Sequence, residues 1–506
     1  MTQQRSFGAD LDTEEKILKE VTELFDKVLS RQAPQNIVEL WKEHGEIRRV
    51  LDHVADLQKT ISDTDKRLDE AERTPEKIAN FLQWADQIGV ARNNCDVVVG
   101  KDHGLELKAV GPIPKSHIVV KVPRHAMISL DLARKSAILK KAFERDPIIS
   151  GMGNVGLALF LAAHYLNKDQ SKWYPYISVF PTKFTTSVFY TEDQLLQLKP
   201  SPIFEETLLF YRTIARQFCY FMIAVAKNRV YENVQKTARK NERAPETPIL
   251  YNAPFTVANF TSRLYFWSVG VVTTRVNMVP SESEKVDDKV MMIPALIPVL
   301  DMANHENVIE GKEDVVDDLV CFSPEDDNAI ITSHSDVVAG DSITIFYGKR
   351  GNGEYLLHNG FVPIRPNEFD VLKLKIGIPK TDKELEVKRK LITEFVPSVW
   401  SNSNIFQFDL FNHPEPFSPD LLRFAAIFVT QEPNEKKINT IEARKKGVDF
   451  LKTRFMLLER SYGNSIDETI LSKSGLDGDI SRLKATELHI LRLAGRYCER
   501  LEKEIK

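Results

Sequence analysis

Cysteine is scarce in this chain of 506 residues, and the four that occur are scattered as Cys95, Cys219, Cys321 and Cys498. None belongs to a CxxC pair or to a Cys/His cluster with the spacing of a zinc site. We therefore expect no metal site and no disulfide framework. Unpaired cysteines of this kind are typical of a reducing compartment.

Long apolar runs and an excess of positive charge are also missing. No segment approaches the roughly 18 consecutive apolar residues of a membrane-spanning helix, and the first residues lack the apolar stretch of a signal peptide. The formal net charge of −4 argues against the basic surface of a nucleic-acid-binding protein. We expect a cytoplasmic protein, with a nuclear pool left open, that binds neither membranes nor nucleic acid. The oligomeric state stays open.

The composition that is present, 42% hydrophobic and 28% charged, is typical of a globular protein, and 506 residues exceed one ordinary core. Apolar residues recur at helical spacing from Ile17 to Leu29 and again from Leu40 to Ile61. Packing of these helices against the main body and a partner-binding coiled coil both fit this pattern. The polar stretch Ser62–Thr74 predicts a loop or linker.

The order of patterns along the rest of the chain predicts a mixed fold. A helix that starts at Thr74-Pro75-Glu76 is followed by three short strands and then, from about 130 to 272, by a helical block that includes an aromatic loop, Trp173–Tyr176. Strands resume at Ile293 and end at Tyr347, and a helical region with one strand, Val371–Ile376, follows. The predicted short strands are Val97–Val99, Leu105–Val110 and Ile118–Val122. We predict an N-terminal helical segment at 1–72, an α+β domain at 73–365 with a helical insertion, and an all-helical domain at 366–506.

The most informative motif is an apolar segment, Leu296–Leu300, that runs into the polar sequence Asp301-Met302-Ala303-Asn304-His305. We interpret the first part as a buried strand. The polar residues that follow could form an ordinary turn with local side-chain bonds. They could equally present an amide and an imidazole at the end of a rigid strand.

A second motif starts with Ile343-Thr344-Ile345-Phe346-Tyr347-Gly348, a strand that delivers a tyrosine to its C-terminal end. A short helix, Glu354–His358, and the sequence Asn359-Gly360-Phe361 come next. Phe361 fits core packing as well as stacking on a purine.

A third motif is Arg275-Val276-Asn277, at the end of the predicted apolar helix Val257–Val272. A cation in a last helical turn is a favourable partner of the helix dipole. An arginine also offers a fork that fits a carboxylate. Both interpretations remain open from these residues alone.

Together the three motifs resemble the SET-domain protein methyltransferases, in the branch of the Rubisco lysine methyltransferases. Within that branch the sequence is most similar to the enzymes that methylate a histidine of actin. The resemblance implies a SET-type fold of short strands, a helical substrate-binding region at the C-terminus, S-adenosylmethionine as cofactor and a protein substrate, with actin expected.

The resemblance also implies roles for individual residues. Tyr347 corresponds to the tyrosine at the transfer site, and Asn277 to the asparagine that contacts the acceptor imidazole. The residues that correspond to cofactor-binding positions are Arg73, Gly104, Leu105, Arg275, Asp301, Asn304, His305, Asn359, Gly360 and Phe361. Among these, Phe361 corresponds to the aromatic residue that stacks on adenine.

Two departures from the family pattern keep alternatives open. The first cofactor loop usually reads Gly-x-Gly, whereas this chain has His103-Gly104-Leu105. That change motivates the hypothesis of a catalytically silent binding module. Leu300 stands where the actin-histidine enzymes carry tryptophan, which motivates the hypothesis of a lysine methyltransferase of the same fold.

The chemistry of the acceptor favours histidine. A lysine of pKa about 10.4 lies roughly 3.4 pH units from its neutral form at pH 7, which costs about 4.6 kcal/mol. A histidine of pKa about 6.5 is already mostly neutral and needs only orientation and the correct tautomer. The predicted site residues include no strong general base, which is consistent with a histidine acceptor.

Overall fold

The computed structural model describes residues 2–100, 104–237, 245–307, 320–402, 404–463 and 468–505. The chain divides into two compact units. The first comprises Met1–Phe184 and Thr207–Tyr347, and the second comprises Thr185–Glu206 and Gly348–Lys506. The domains predicted at 1–72, 73–365 and 366–506 follow the sequence pattern instead, and their boundaries stay predictions.

Helices make up the N-terminal part and the insertion of the first unit. They are Thr2–Leu24, Ile37–Lys59, Thr64–Asp69, Pro75–Gln87, Leu130–Lys135, Lys140–Arg145, Pro147–Gly151, Gly153–Asn167, Tyr174–Ile177, Ile203–Thr237 (from Thr207 onward) and Ser262–Arg275. The first helix continues as a π-helical turn, Phe25–Leu29, and short 3-10 turns occur at Arg124–Ala126, Lys168–Gln170 and Leu300–Met302. Among the residues described, no helix combines the length and the apolar character needed to cross a membrane.

The two N-terminal helices are confirmed, and they pack against the rest of the first unit. Asn36 caps the second helix, because its side chain accepts hydrogen bonds from the N–H groups of Val38 and Glu39. Buried Arg212 joins this segment to the helix Ile203–Thr237: its Nε lies 2.5 Å from a carboxylate oxygen of Glu43. Its Nη2 donates to the Val28 and Arg31 carbonyls, each at 2.9 Å.

The predicted loop or linker Ser62–Thr74 is wrong in its centre, where Thr64–Asp69 forms a helix. Two polar residues of this helix, Thr64 and Asp65, are buried together with Leu68, a property that hydropathy does not reveal. Asp65, for example, is 2% exposed and accepts a hydrogen bond from the hydroxyl of Thr261.

Strands of the first unit form three small sheets. In chain order they are β1 (Ala91–Arg92), β2 (Cys95–Gly100), β3 (Gly104–Ala109), β4 (Ile118–Pro123), β5 (Ile128–Ser129), β6 (Asn277–Val286), β7 (Lys289–Leu296), β8 (Asn304–His305), β9 (Val320–Ser323), β10 (Asn328–Thr332) and β11 (Ser342–Ile345). Hydrogen bonding gives the strand orders β1-β4-β10-β9, β2-β3-β11-β8 and β5-β7-β6. The three predicted short strands are confirmed as β2, β3 and β4.

Two boundaries of the predicted strands are wrong. The strands resume at Asn277 with β6, not at Ile293, because β6 and β7 form a polar ribbon whose acidic side chains are neutralised by the helix Leu130–Lys135. Lys135 Nζ lies 2.5 Å from a carboxylate oxygen of Glu282. In addition, β7 ends at Leu296, so Ile297–Leu300 is not strand.

The second unit combines helices with one sheet. Its helices are Glu192–Gln197, Ile203–Thr237 (up to Glu206), Asn352–Glu354, Leu385–Phe395, Pro419–Val429, Glu435–Ile438, Ile441–Ser461, Glu468–Leu471 and Leu476–Glu504, with a 3-10 turn at Ser187–Phe189 and a π-helical turn at Tyr355–Asn359. Its strands are β12 (Val371–Gly377), β13 (Trp400–Asn402) and β14 (Ile405–Phe411), in the order β12-β14-β13.

The prediction of an all-helical C-terminal domain is therefore only partly right: the region is helical, but it contains a three-stranded antiparallel sheet. The single predicted strand, Val371–Ile376, is confirmed as β12. Strand β14 carries a period-two pattern in which Phe406, Phe408 and Leu410 are buried. These side chains pack with Phe424 of the helix Pro419–Val429 in one core.

Candidate active site

A strained turn places Asp301 in the interior of the first unit. After β7, the N–H of Leu300 donates to the carbonyl of Pro298 at 2.8 Å, which closes a γ-turn centred on Val299. Val299 has φ 66° and ψ −48°, an unfavourable backbone for a β-branched residue, and its side chain is fully buried. Such strain costs on the order of 1–3 kcal/mol and persists only where the surroundings impose it.

Asp301 is the centre of a buried polar network. Its Oδ2 accepts a hydrogen bond from the phenol of Tyr176 and lies 3.6 Å from Nη1 of Arg275. The same Nη1 donates to the backbone carbonyl of Asp301 at 3.0 Å and lies 3.4 Å from Sδ of Met302. Arg275 is thus fixed to both the side chain and the backbone of the turn Leu300–Met302.

Burial dominates the electrostatics of this network. Burial raises the pKa of Asp301 to about 6, although Arg275, the Tyr176 hydrogen bond and Arg73 act in the opposite direction. Burial and the positive charge of Arg275 lower the pKa of Arg73 to about 10, against the attraction of Asp301. Two guanidinium groups therefore face one carboxylate, so the network has room for an additional negative charge.

Among the residues that the structure describes, two polar atoms of this network are buried without a hydrogen-bond partner: Nε of Arg275 and Oδ1 of Asp301. An unsatisfied buried polar atom costs about 1–3 kcal/mol, so one donor and one acceptor in the same network suggest a ligand site. A ligand with an anionic and a cationic group would satisfy both atoms.

Gly104 and Leu105 open β3, which packs against the turn Leu300–Met302. Gly104 has φ 80°, and a Cβ at this position would lie 2.6 Å from Nη1 of Arg73, so a side chain would displace that guanidinium. Arg73 is also held by a hydrogen bond of 2.7 Å from its Nε to the carbonyl of Val179. Leu105 is buried. His103, the other residue of the predicted loop, lies outside the described residues.

The predicted tyrosine and the Asn-His pair are brought together. Strand β8 (Asn304–His305) runs parallel to β11, and Tyr347 follows β11 by two residues. The phenol of Tyr347 donates to the carbonyl of Ala303 at 2.9 Å, and the backbone N–H of Tyr347 donates to Nδ1 of His305 at 3.2 Å. The neutral imidazole therefore carries its proton on Nε2, which lies 2.8 Å from Oδ1 of Asn307.

Asn277 is half-buried at the start of β6, where it pairs with Ala295 of β7. Its Nδ2 donates to the carbonyl of Arg275 at 3.2 Å. Arg275 and Asn277 of the third motif are thus connected to each other. Through Arg275 they are also connected to Asp301.

The remaining predicted residues, Asn359, Gly360 and Phe361, belong to the second unit. Gly360 has φ 86°, and its N–H donates to the carbonyl of Tyr355 at 2.8 Å, which ends the π-helical turn. The ring of Phe361 stacks on that of Tyr355 with centroids 5.3 Å apart. Oδ1 of Asn359 accepts from Nη1 of Arg350 at 2.8 Å. Their assignment to the cofactor stays a prediction.

Sequence reasoning missed Tyr176. The segment Trp173–Tyr176 is predicted as an aromatic loop, but Tyr174–Ile177 is a one-turn helix that begins with Pro175 at its second position. The ring of Tyr176 is parallel to those of Phe81 and Trp84, at 5.6 and 6.2 Å, on the helix Pro75–Gln87. Its partner Asp301 is 125 positions away, and no local pattern connects them.

Among the residues described, no group of three or more His, Cys, Asp or Glu side chains is arranged to hold a metal ion.

No protein-family model matches the chain. Its sequence is 28% identical over 530 residues to the actin-histidine N-methyltransferase of Homo sapiens, covering 100% of this chain and 80% of the relative. The enzyme of the same name from Rattus norvegicus is 29% identical over 532 residues.

Solved structures of Rubisco LSMT share the fold. The structure with AdoMet bound aligns with a TM-score of 0.61 at 18% identity, covering 86% of this chain and 94% of that chain. The SET domain of LSMT with lysine and AdoHcy bound aligns with a TM-score of 0.62 at 17% identity, covering 86% and 93%. The chain therefore has the fold of the SET-domain methyltransferases, and over its whole length it is similar to the actin-histidine N-methyltransferases, as its motifs predict.

Proposed function

We propose that this chain is an S-adenosylmethionine-dependent protein methyltransferase that methylates a histidine side chain of actin. The observation that carries the proposal is the similarity to actin-histidine N-methyltransferases along 100% of the chain. The tyrosine, the Asn-His pair and the buried Arg/Asp network of the first unit support it. An enzyme that modifies actin would act in the cytoplasm, with a nuclear pool left open.

The buried network fits the amino-acid end of the proposed cofactor. Arg73 and Arg275 would hold its carboxylate, because among the described residues Nε of Arg275 lacks a partner and the two guanidinium groups face the single negative charge of Asp301. Oδ1 of Asp301, also without a partner, would accept from its amino group. The other residues assigned to the cofactor are Gly104, Leu105, Asn304, His305, Asn359, Gly360 and Phe361.

When bound, S-adenosylmethionine supplies an electrophilic methyl group on a sulfonium. Tyr347 would orient that group. Its phenol donates to the carbonyl of Ala303, which fixes the position of the phenol oxygen, and such an oxygen can accept weak C–H···O contacts from a polarised methyl group. The bond from the Tyr347 N–H to His305 fixes the other end of the residue. Precise orientation of this kind can contribute several kcal/mol to the rate.

Asn277 would select the acceptor nitrogen. An amide accepts or donates one hydrogen bond to an imidazole and so fixes which nitrogen carries the lone pair. A histidine of pKa about 6.5 is mostly neutral at pH 7 and needs no strong base. The position of Asn277, two residues after Arg275 and bonded to its carbonyl, would place the acceptor beside the cofactor-binding arginine.

The test is incubation of the purified chain with actin and isotopically labelled S-adenosylmethionine, followed by mass spectrometric mapping. We expect label on a histidine, and about a hundredfold lower rate for Tyr347→Phe, because the orienting oxygen is lost. Label on lysine alone would contradict the acceptor but leave the enzyme class intact. Absence of both binding and transfer would favour the catalytically silent binding module that the loop at Gly104 suggests.

A lysine methyltransferase of the same fold is the second candidate. Leu300 favours it, since the fully buried leucine occupies the position of the tryptophan in the actin-histidine enzymes. Matched histidine and lysine peptides, methylated by the wild type, Asn277→Ala and Asn277→Phe, separate the two acceptors. We expect the variants to lose preference for histidine. An unchanged preference would contradict the role of Asn277.

A further inference from the structure

We propose that Tyr176 is a positioning residue of the proposed cofactor site. Its phenol donates to Oδ2 of Asp301 and keeps the carboxylate charged, with Oδ1 available to the amino group of the cofactor. This inference depends on the proposed function. It adds a residue to that site that none of the three sequence motifs contains.

The hydrogen bond divides the two oxygens of the Asp301 carboxylate between different tasks. Oδ2 accepts from the Tyr176 phenol and lies near Arg275, whereas Oδ1 is buried with no hydrogen-bond partner in the described part of the chain. A carboxylate that is anchored through one oxygen presents the other in a fixed direction. Without the phenol, Oδ2 would lose this donor and keep the approach of Arg275 Nη1 at 3.6 Å.

Tyr176 itself has little freedom. Its fully buried ring lies nearly parallel to the rings of Phe81 and Trp84 on the helix Pro75–Gln87, and it meets the ring of Phe180 at a steep angle with centroids 4.6 Å apart. Burial and the negative charge of Asp301 raise its pKa well above the usual range. The phenol is therefore protonated and donates at every pH at which the protein is studied.

The donor also controls the charge of Asp301. The groups that face Asp301 are Tyr176 from the helix Tyr174–Ile177, Arg275 from the helix Ser262–Arg275, and Arg73 from the segment before Pro75–Gln87. All three favour the ionised carboxylate, and burial opposes them with a resulting pKa of about 6. Removal of the phenol hydrogen bond must raise this pKa, because a donor to a carboxylate stabilises its charged form.

The experiment is calorimetric titration of the full chain with S-adenosylmethionine between pH 5.5 and 8.5, for the wild type and Tyr176→Phe. Loss of a hydrogen bond to a charged group corresponds to an upward shift of about one pH unit in the midpoint of the affinity profile. With a midpoint near pH 6 in the wild type, the variant binds about fivefold more weakly at pH 6 and about twofold more weakly at pH 7. Above pH 8 the two affinities converge.

Three controls make the outcome specific. Tyr220→Phe removes the same kind of bond, a phenol that donates to a carboxylate at 2.6 Å, from Asp146, which caps the helix Pro147–Gly151; this variant should follow the wild type. Asp301→Asn should bind weakly with a flat pH profile. Addition of Tyr176→Phe to Asp301→Asn should then change nothing, because the two residues act through one bond.

A substitution by 3-fluorotyrosine at position 176 tests the same bond without loss of shape. The more acidic phenol is a stronger donor, so the midpoint should move to lower pH, opposite to Tyr176→Phe. Unchanged midpoints in both variants, or a loss of affinity that is equal at every pH, would overturn the inference while the proposed function stands. A wild-type chain that binds no S-adenosylmethionine at any pH would overturn both.

Discussion

Glu487 gives the second unit a stability that depends on pH. This carboxyl on the helix Leu476–Glu504 is fully buried and accepts hydrogen bonds from Ser201 at 2.7 Å and Tyr462 at 2.9 Å. Burial raises its pKa from 4.5 to about 8, and the charges of Asp370 and Glu206 act in the same direction. The folded chain therefore keeps Glu487 protonated at pH values at which an unfolded chain would have ionised it.

The sign of the effect follows from this difference. Below about pH 4.5 both states are protonated, and the stability contributed by Glu487 is complete. As pH rises from about 4.5 to about 8, Glu487 ionises only in the unfolded state, which lowers the free energy of that state. The free energy of unfolding therefore falls progressively, and above about pH 8 it levels off. At about 1.4 kcal/mol per pH unit, the interval corresponds to about 5 kcal/mol as an upper bound.

The perturbation is Glu487→Gln, which keeps the shape and stays neutral at every pH. In the wild type, the free energy of unfolding of the second unit should fall between pH 5 and 8. In the variant this fall should be much smaller, so the variant becomes more stable relative to the wild type as pH rises. Hydrogen–deuterium exchange in the helix Leu476–Glu504 reports this locally, and denaturant titration reports it for the chain. Equal pH slopes for both proteins would refute the reasoning.

Three further predictions concern the first unit. Gly104→Ala should weaken binding of S-adenosylmethionine in calorimetry, because the added methyl group would lie 2.6 Å from Nη1 of Arg73. The control is Gly340→Ala, which has a similar φ of 94° but no described atom within 4 Å of the added methyl group, and which should bind normally. Equal effects of the two substitutions would contradict the clash. Arg275→Lys should weaken binding of S-adenosylmethionine about tenfold or more and lower the melting temperature. A guanidinium group can contact Asp301 and a ligand simultaneously, whereas a single ammonium group cannot. Unchanged binding would contradict the role of Arg275 in holding the ligand. Arg212→Ala should cost about 3 kcal/mol in denaturant titration, because it leaves the partly buried Glu43 without its ion-pair partner and removes the donor to the Val28 and Arg31 carbonyls. A loss below about 1 kcal/mol would show that the N-terminal helices are held in another way.

The sequence predicts the parts of the fold whose signals are local. Helical spacing predicts the long helices, short apolar segments between glycines and prolines predict β2 to β4, and alternation predicts β12. It also placed Tyr347 beside a strand end, where the phenol now donates to Ala303. These predictions succeeded because periodicity and strand ends depend on neighbours in sequence.

Two of the errors have a common physical origin, which is pairing over long sequence distance. Thr64–Asp69 looks like a linker because it is polar, but Asp65 is buried through its partner Thr261. Strand β6 looks like a loop because Lys135 neutralises Glu282. Strand β14 is a different case, since its alternating phenylalanines carried a usable signal that the surrounding helical stripes obscured.

The candidate site shows the same limit in its energetics. The motifs supply Arg275 and Asp301, but they do not reveal that burial would leave two guanidinium groups facing one carboxylate that titrates near pH 6. In the part of the chain that the structure describes, this network carries surplus positive charge and two unpaired polar atoms, which lowers stability here, as functional sites commonly do. Only a ligand that brings both an anion and a donor recovers that stability, and the amino-acid end of the proposed cofactor has both. A neutral ligand of the same size would satisfy one atom at most, so affinity for this network should follow the charges of the ligand more closely than its volume.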